Sequence, residues 1–168
     1  MSDQQMSPRA LVYGCGNVLF GDDGFGPAVV KYLQENHPLP GEIQILDVGT
    51  SIRDLLFDLV LSPQKPQKII IIDAVDHAGR RPGEVFEIPV AAIPAEKIAD
   101  FSLHQFPTVN LLQELQEHTG VEIHIVVVQV QDLPEEVRPG LSPAVAGAIK
   151  EAAARILALL GFASSKNF

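Results

Sequence analysis

The sequence is poor in cysteine, aromatic residues and basic residues, and each shortage excludes a class of protein. A single cysteine, Cys15, among 168 residues excludes an intramolecular disulfide framework and a zinc site built from several cysteines, and it fits a reducing compartment. The chain has no tryptophan and only two tyrosines, which argues against a carbohydrate-stacking surface. Twelve Lys and Arg against 21 Asp and Glu give a net charge of −9, which disfavours nucleic acid and anionic membrane surfaces as partners.

Long apolar runs are also missing. No stretch approaches the ~20 residues of a membrane-spanning helix, and the N-terminal sequence MSDQQMSPRA lacks the cationic and apolar regions of a signal peptide. Hydrophobic residues nevertheless make up 46% of the chain and charged residues 20%, which is typical of an ordered globular protein. We therefore expect a cytoplasmic protein without membrane insertion, forming a single domain over residues 1–168 with an ordered core of about 10–160 and short mobile ends.

Apolar runs alternate with helical periodicities along the chain. The patterns predict strands at 10–13, 43–48, 68–73, 83–88 and 123–130, and helices at 25–36, 52–61, 108–119 and 143–160. Four isoleucines before Asp73 predict a central strand covered on both faces, and the alternation in 83–88 predicts an edge strand. Ser142 and Pro143 are expected to cap and begin the last helix. This order predicts an α/β fold, a single-domain three-layer sandwich with a mostly parallel twisted sheet and helices on both faces.

Acidic residues recur where the predicted parallel strands end, which is where functional groups gather in such folds. They are Asp22, Asp23, Asp47, Asp73 and Asp76. Neighbouring carboxylates repel each other unless a proton or a cation compensates, so the pattern predicts a bound cation at this edge of the sheet. One of the two tandem acids is also expected to cap the helix 25–36, with Asp22 capping while Asp23 points elsewhere.

Two common alternatives for a glycine-rich turn after a first strand are disfavoured. Leu19 stands where a dinucleotide-binding turn beginning at Gly14 needs its third glycine, and two carboxylates occupy the place of the pyrophosphate. The sequence contains neither a GxxxxGK[ST] phosphate loop nor a GxSxG serine elbow. Nucleotide binding and serine hydrolase chemistry are therefore disfavoured.

Histidine would supply the remaining type of metal ligand. Three of the five histidines, His37, His118 and His124, have a simple structural explanation at the ends or on the polar faces of predicted elements. His77 and His104 lie on connections and are the better candidates, and two carboxylates with one imidazole suit a borderline divalent ion with positions open for substrate. Cys15 lies beside these groups, where a thiolate could ligate or attack, although a cysteine between two glycines also fits simple packing.

Several motifs in a fixed order together resemble one known family. They are Gly14-x-Gly16-Asn17-x-Leu19-x-x-Asp22-Asp23-Gly24-x-Gly26, then Asp47-x-Gly49-Thr50, then Asp73-Ala74-Val75, and then His104-Gln105. In this order they resemble the [NiFe]-hydrogenase maturation endopeptidases, from about Leu11 to Leu160. The resemblance implies a cytoplasmic α/β protease that removes a C-terminal extension from the hydrogenase large-subunit precursor once nickel has been inserted.

The resemblance also implies roles for particular residues. The family's metal-binding and catalytic positions correspond to Asp23, Asp73 and His104, which would ligate nickel presented by the precursor and hold it weakly in the free enzyme. The substrate-recognition motif corresponds to Asp47, Gly49 and Thr50, with Val48 where relatives often have glycine.

Other interpretations stay open at this point. The same acidic cluster would serve a non-catalytic nickel or precursor-binding chaperone, or a metal-dependent hydrolase of another substrate. Asp76 and His77 either support the ligands or form an exposed turn.

Overall fold

A computed structural model describes residues 7–92 and 108–162, and it confirms the predicted alternation of strands and helices. The strands are β1 Ala10–Cys15, β2 Ile43–Gly49, β3 Lys68–Val75, β4 Val85–Glu87 and β5 Glu122–Gln129. The helices are α1 Phe25–Asn36, α2 Ile52–Leu61, α3 Thr108–Thr119, α4 Pro143–Ala146 and α5 Ile149–Leu159, with short 3₁₀ turns at Gly21–Gly24 and Val90–Ala92. The predicted mobile ends fall almost entirely outside the described residues.

The five strands form one sheet in the order β2-β1-β3-β5-β4. Strands β2, β1, β3 and β5 are parallel, and β4 pairs antiparallel with β5 at the edge. The isoleucine run 69–72 therefore lies in the central strand and is buried, as its composition predicts. The prediction of an edge strand near 83–88 is also confirmed, with β4 shorter than the alternation suggested.

Helices cover both faces of the sheet and complete the predicted three layers. Helices α1 and α5 pack together over one face, where Leu33 and Ile156 are buried. Helices α2 and α3 pack together over the other face, where Leu56 and Leu112 are buried. None of the helices in residues 7–92 and 108–162 has the length and apolar character needed to cross a membrane.

The last helix differs from its prediction because it is interrupted. Its predicted start is confirmed, since the Ser142 hydroxyl accepts a hydrogen bond from the Val145 amide at 3.4 Å. Helix α4 then ends at Gly147, whose amide keeps a helical bond to the Pro143 carbonyl at 3.0 Å. The next amide, that of Ala148, bonds three residues back instead of four, and a second helix starts after it. Glycine is the poorest helix former after proline, so a break at this position costs little.

Helix α1 approaches the sheet very closely at its first turn. A Cβ atom on Gly26 would lie 2.3 Å from the Cys15 carbonyl oxygen and 2.7 Å from the Ile72 carbonyl oxygen. No side chain fits there, so the glycine lets the helix backbone rest on β1 and β3 together. This contact holds the 3₁₀ turn 21–24 against the carboxyl end of the sheet.

Candidate functional site

The segment between β1 and α1 fixes Asp23 above the end of β1. Gly16 has a φ of 130°, and a Cβ atom there would lie 1.9 Å from the Asp23 carbonyl oxygen, so both the conformation and the space require glycine. The Asn17 amide donates a hydrogen bond to Asp23 Oδ2 at 2.9 Å. The carboxylate of Asp23 is half-buried and is oriented by the backbone beside it.

Asp22 has a different environment and a structural role. Its fully buried carboxylate accepts four hydrogen bonds, from the amides of Gln131, Asp132 and Ser142 and from the Ser142 hydroxyl, at 2.7–2.9 Å. The prediction that one of the tandem acids caps α1 is therefore wrong, because the N-cap residue is Gly24 and has no side-chain cap. The intervening 3₁₀ turn directs Asp22 toward the segment 131–142 instead.

Asp73 lies inside β3 and not after it, which corrects its predicted position at the strand end. The strand continues to Val75 because β5 provides partners for it, with Asp73 opposite Val127 and Val75 opposite Gln129. The Asp73 side chain is fully buried, and its Oδ1 accepts a hydrogen bond from the Ala74 amide at 2.8 Å. A buried carboxylate is costly unless it is paired or compensated, so this position is typical of a functional acid.

The pleat of β3 determines the face of the sheet to which the Asp73 side chain projects. Its neighbours Ile72 and Ala74 pack on the side of α1 and α5, so strand alternation directs Asp73 to the side of α2 and α3. His104 lies outside the described residues, and its predicted role as the third ligand stays a prediction. Helix α3, which starts four residues after His104, covers the face that Asp73 serves.

The two carboxylates Asp23 and Asp73 sit on elements that touch, because the 3₁₀ turn 21–24 contacts β3. A buried and a half-buried carboxylate on adjoining elements are donors that fit a divalent cation. In the part of the chain that the structure describes, no three His, Cys, Asp or Glu side chains group closely enough to hold a metal ion. The predicted set requires His104, which that search does not include.

Asp47 is exposed on the edge strand β2 and faces the other side of the sheet from Asp73. Its Oδ1 accepts a hydrogen bond from the Gly49 amide at 3.0 Å. Gly49 has a φ of 54°, and its carbonyl oxygen accepts a hydrogen bond from the Gly16 amide at 2.9 Å. Thr50 follows in an exposed turn. The predicted recognition motif is therefore tied to the loop that carries Asp23, but its carboxylate lies on the α1 side.

A surface cleft of about 330 Å³ lies between Asp47 and the start of α1. Its lining includes the apolar residues Val18, Pro27, Ala28 and Leu141 and the charged residues Lys31 and Asp47. Gly21 and Gly24 of the 3₁₀ turn also line it. The cleft therefore borders the turn that carries Asp23 and is suited to an apolar side chain of a peptide, with charged groups at its rim.

Cys15 is fully buried in the core between the sheet and α2 and α3. Its Sγ donates a hydrogen bond to the Tyr13 carbonyl oxygen at 3.9 Å. Burial, and then the neighbouring Cys15 thiol, raise the pKa of Tyr13 to about 12. This environment favours the interpretation of Cys15 as a packing residue over that of a nucleophile.

Gln129 is a buried polar residue that orders the turn after β3. Its Oε1 accepts a hydrogen bond from the His77 amide at 2.8 Å, and its Nε2 donates to Asp76 Oδ1 at 3.1 Å. The His77 ring packs edge-on against Phe86, with the ring centroids 5.8 Å apart. Sequence reasoning missed Gln129, although a lone polar residue in the apolar run 123–130 was the available signal. Asp76 and His77 thus form an exposed, well-anchored turn beside the site.

The three histidines with structural explanations lie near the amino ends of the strands, away from the candidate site. In a parallel sheet the helices run back toward the amino ends of the strands, so His37 at the end of α1 and His118 at the end of α3 lie far from the carboxyl ends. His124, near the start of β5, contacts Glu87 and Glu122 through its two ring nitrogens.

Comparisons with known proteins show the family to which the chain belongs. The sequence profile of the hydrogenase maturation protease family matches residues 27–159. Hydrogenase 2 maturation protease of Escherichia coli is 32% identical over 154 residues, which are 90% of each chain. A protein of Methanothermobacter thermautotrophicus named coenzyme F420 hydrogenase subunit delta is 36% identical over 159 residues, which are 90% of this chain and 94% of that protein.

A solved structure extends the similarity to three dimensions. The hydrogenase maturating endopeptidase HybD from E. coli superimposes with a TM-score of 0.75 at 31% identity, covering 91% of this chain and 92% of that one. The α/β fold thus agrees with the family match over most of the sequence. We conclude that this chain belongs to the hydrogenase maturation protease family.

Proposed function

We propose that this protein removes the C-terminal extension of a [NiFe]-hydrogenase large-subunit precursor after nickel insertion, and that it does so in the cytoplasm. The observation that carries the proposal is the buried carboxylate of Asp73 in β3, adjoining the turn that holds Asp23. Peptidase names among the relatives support the reaction class. In this proposal the nickel already inserted in the precursor is the recognition signal.

Asp23, Asp73 and His104 would hold the nickel that the precursor brings. The described carboxylates are suited to this because each has one oxygen fixed by a backbone amide, that of Asn17 for Asp23 and that of Ala74 for Asp73. Donors positioned in advance lose little conformational freedom when the substrate arrives. Nickel bound there would supply Lewis-acid polarisation of the scissile carbonyl or of a water molecule.

The cleft beside Asp47 would receive a segment of the precursor next to the bond to be cut. It borders the 3₁₀ turn, so a peptide seated in it passes close to Asp23. Asp47, Gly49 and Thr50 would contribute to recognition there. The hydrogen bond from the Gly16 amide to the Gly49 carbonyl would hold this motif beside the loop that carries Asp23.

The test uses the nickel-loaded precursor and mass spectrometry before and after incubation. Wild-type protein should shorten the precursor at its C-terminus, and Asp23→Asn, Asp73→Asn and His104→Ala should each reduce processing to background. Asp58→Asn on α2 and His118→Ala on α3 are matched controls on exposed helix positions and should process normally. Precursor without nickel should stay intact.

The same experiment separates the alternatives. Normal cleavage by all three site variants would contradict the assignment of the ligands. Binding of the precursor without any shortening would indicate a chaperone, and metal-supported turnover of an unrelated peptide would indicate a hydrolase with another substrate.

A further inference from the structure

Two surface loops are joined into one rigid unit beside the candidate site. The Arg138 amide donates to the Leu19 carbonyl at 2.8 Å, and the Gly21 amide donates to the Arg138 carbonyl at 2.9 Å. The buried carboxylate of Asp22 binds the amides of residues 131 and 132 from below. The segments 17–22 and 131–138 are therefore held together by backbone bonds and by one buried anion.

This unit presents large apolar side chains to solvent. Val18, Leu19, Leu133 and Val137, which we term the apolar platform, have exposed fractions of 53%, 45%, 46% and 64%. Single exposed apolar residues are ordinary, but several on adjoining rigid segments mark an interaction surface. Because these loops are hydrogen-bonded to each other, little conformational entropy would be lost on binding.

The platform is continuous with the candidate site. A Cβ atom on Gly24 would lie 3.2 Å from the Val18 Cα atom and 3.7 Å from Leu141, so Val18 rests directly on the turn that carries Asp23. Val18 also lines the cleft beside Asp47. The platform and the cleft therefore share Val18, through which a partner seated on the platform would reach the cleft.

The charges around the platform indicate what kind of surface fits it. Asp132, Glu135 and Glu136 stand among its residues, all exposed, and Arg138, the one basic residue of the segment 132–138, pairs with Asp132. A partner with an apolar patch and basic residues around it is complementary. A second copy of this chain is a poor fit, because a two-fold interface would bring acidic rim against acidic rim.

We propose that the apolar platform is the docking surface for the body of the large-subunit precursor, which would meet it with an apolar patch surrounded by lysine and arginine. The identity of the partner rests on the proposed function. In this arrangement the cleft binds the segment to be cut, and the platform binds the folded body of the same precursor.

The test compares platform variants with an equally exposed apolar pair elsewhere. Leu133→Ser with Val137→Ser removes half of the platform, and Phe57→Ser with Leu61→Ser on α2 is the matched control, with exposed fractions of 52% and 68%. Calorimetry with purified nickel-loaded precursor should give a Kd raised about tenfold or more for the platform variant, as expected for central apolar contacts. The control variant should keep the wild-type Kd.

A second pair of variants tests the charge argument without touching the apolar side chains. Glu135→Lys with Glu136→Lys should slow association with the precursor and weaken its dependence on salt. These positions are exposed, so this variant decides the question if circular dichroism shows that the serine variant is misfolded.

Cleavage is followed by mass spectrometry in the same samples, which separates this inference from the proposed function. If wild type binds and cleaves while both platform variants bind equally well, the docking surface is wrong and the proposed function stands. If the variants lose binding but wild type never cleaves, docking stands and the proposed function fails. Self-association of wild type that the serine variant abolishes would overturn the inference in favour of a dimer interface.

Discussion

Asp22 and Asp23 are adjacent in the sequence and have separate tasks. Asp22 is fully buried and binds three amides and a hydroxyl of the segment 131–142, whereas Asp23 is half-buried and bonded to the Asn17 amide at the edge of the sheet. The first carboxylate holds the turn 21–24 to the segment 131–142, and the second lies at the candidate site.

This division predicts that the two aspartates contribute unequally to stability. Asp22→Ala should lower the free energy of unfolding by about 2–4 kcal/mol, because buried amides lose their acceptor. Asp23→Asn should lower it by less than about 1 kcal/mol, because the Asn17 amide keeps an oxygen acceptor. Urea unfolding measures both, and equal destabilisation by the two changes would contradict the assignment.

The sequence allowed the acids at the strand ends to be identified, but not the partners of Asp22. Those partners are 109 to 120 residues further along the chain, and no local pattern encodes such a contact. The burial of the run 69–72 was predictable from its four isoleucines, whereas Asp73 was expected at a partly exposed strand end and lies fully buried inside β3. That Asp47 and Asp73 lie on opposite faces follows from strand register, which a single sequence does not fix.

At the scale of elements, the contact between α1 and the sheet determines where the site lies. Gly26 allows the first turn of α1 to rest on β1 and β3, and the 3₁₀ turn 21–24 directly precedes that helix. Any side chain at position 26 pushes the helix outward. The turn with Asp23 would then move away from Asp73.

We therefore expect Gly26→Ala to damage both stability and processing. The added methyl group would meet the Cys15 carbonyl oxygen at 2.3 Å, and relief of that clash should cost about 2 kcal/mol or more. Thermal unfolding and cleavage of the nickel-loaded precursor measure the two effects. Gly41→Ala, where a Cβ atom would meet nothing within 4 Å, is the control, and a harmless Gly26→Ala would refute this account.

Most elements were predictable, and the exceptions have tertiary causes. The runs at 43–48 and 68–73 were placed nearly correctly, because apolar runs bounded by turns are strong local signals. Strand β3 runs two residues further because β5 offers partners as far as Gln129. The last helix is interrupted after Ala146. The low helix propensity of Gly147 indicated a break, but the apolar pattern on both sides of it favoured the prediction of one continuous helix.

At the scale of the whole molecule, two apolar cores share one sheet. One core lies under α1 and α5 and includes Leu33, and the other lies under α2 and α3 and includes Leu56. Alternate residues of β3 belong to each core. The loss of either core therefore removes the support of the same central strand.

This shared strand predicts a single cooperative unfolding transition. Leu33→Ala and Leu56→Ala, both at fully buried positions, should each lower the free energy of unfolding by about 3 kcal/mol. Far-UV circular dichroism and tyrosine fluorescence should report the same midpoint in each variant. Separate midpoints for the two probes would mean that the layers unfold independently.

The hydrogen bonds of Asp22 to residues far along the chain also bear on when this part of the protein can fold during synthesis. The turn at 21–24 leaves the ribosome early, but the amides that hold it come from residues 131, 132 and 142. A nascent chain released as far as β3 contains both Asp23 and Asp73, yet it lacks every one of these anchors. The turn that carries Asp23 therefore gains these anchors only after residues 131–142 have been synthesised, so we expect this part of the fold to form late.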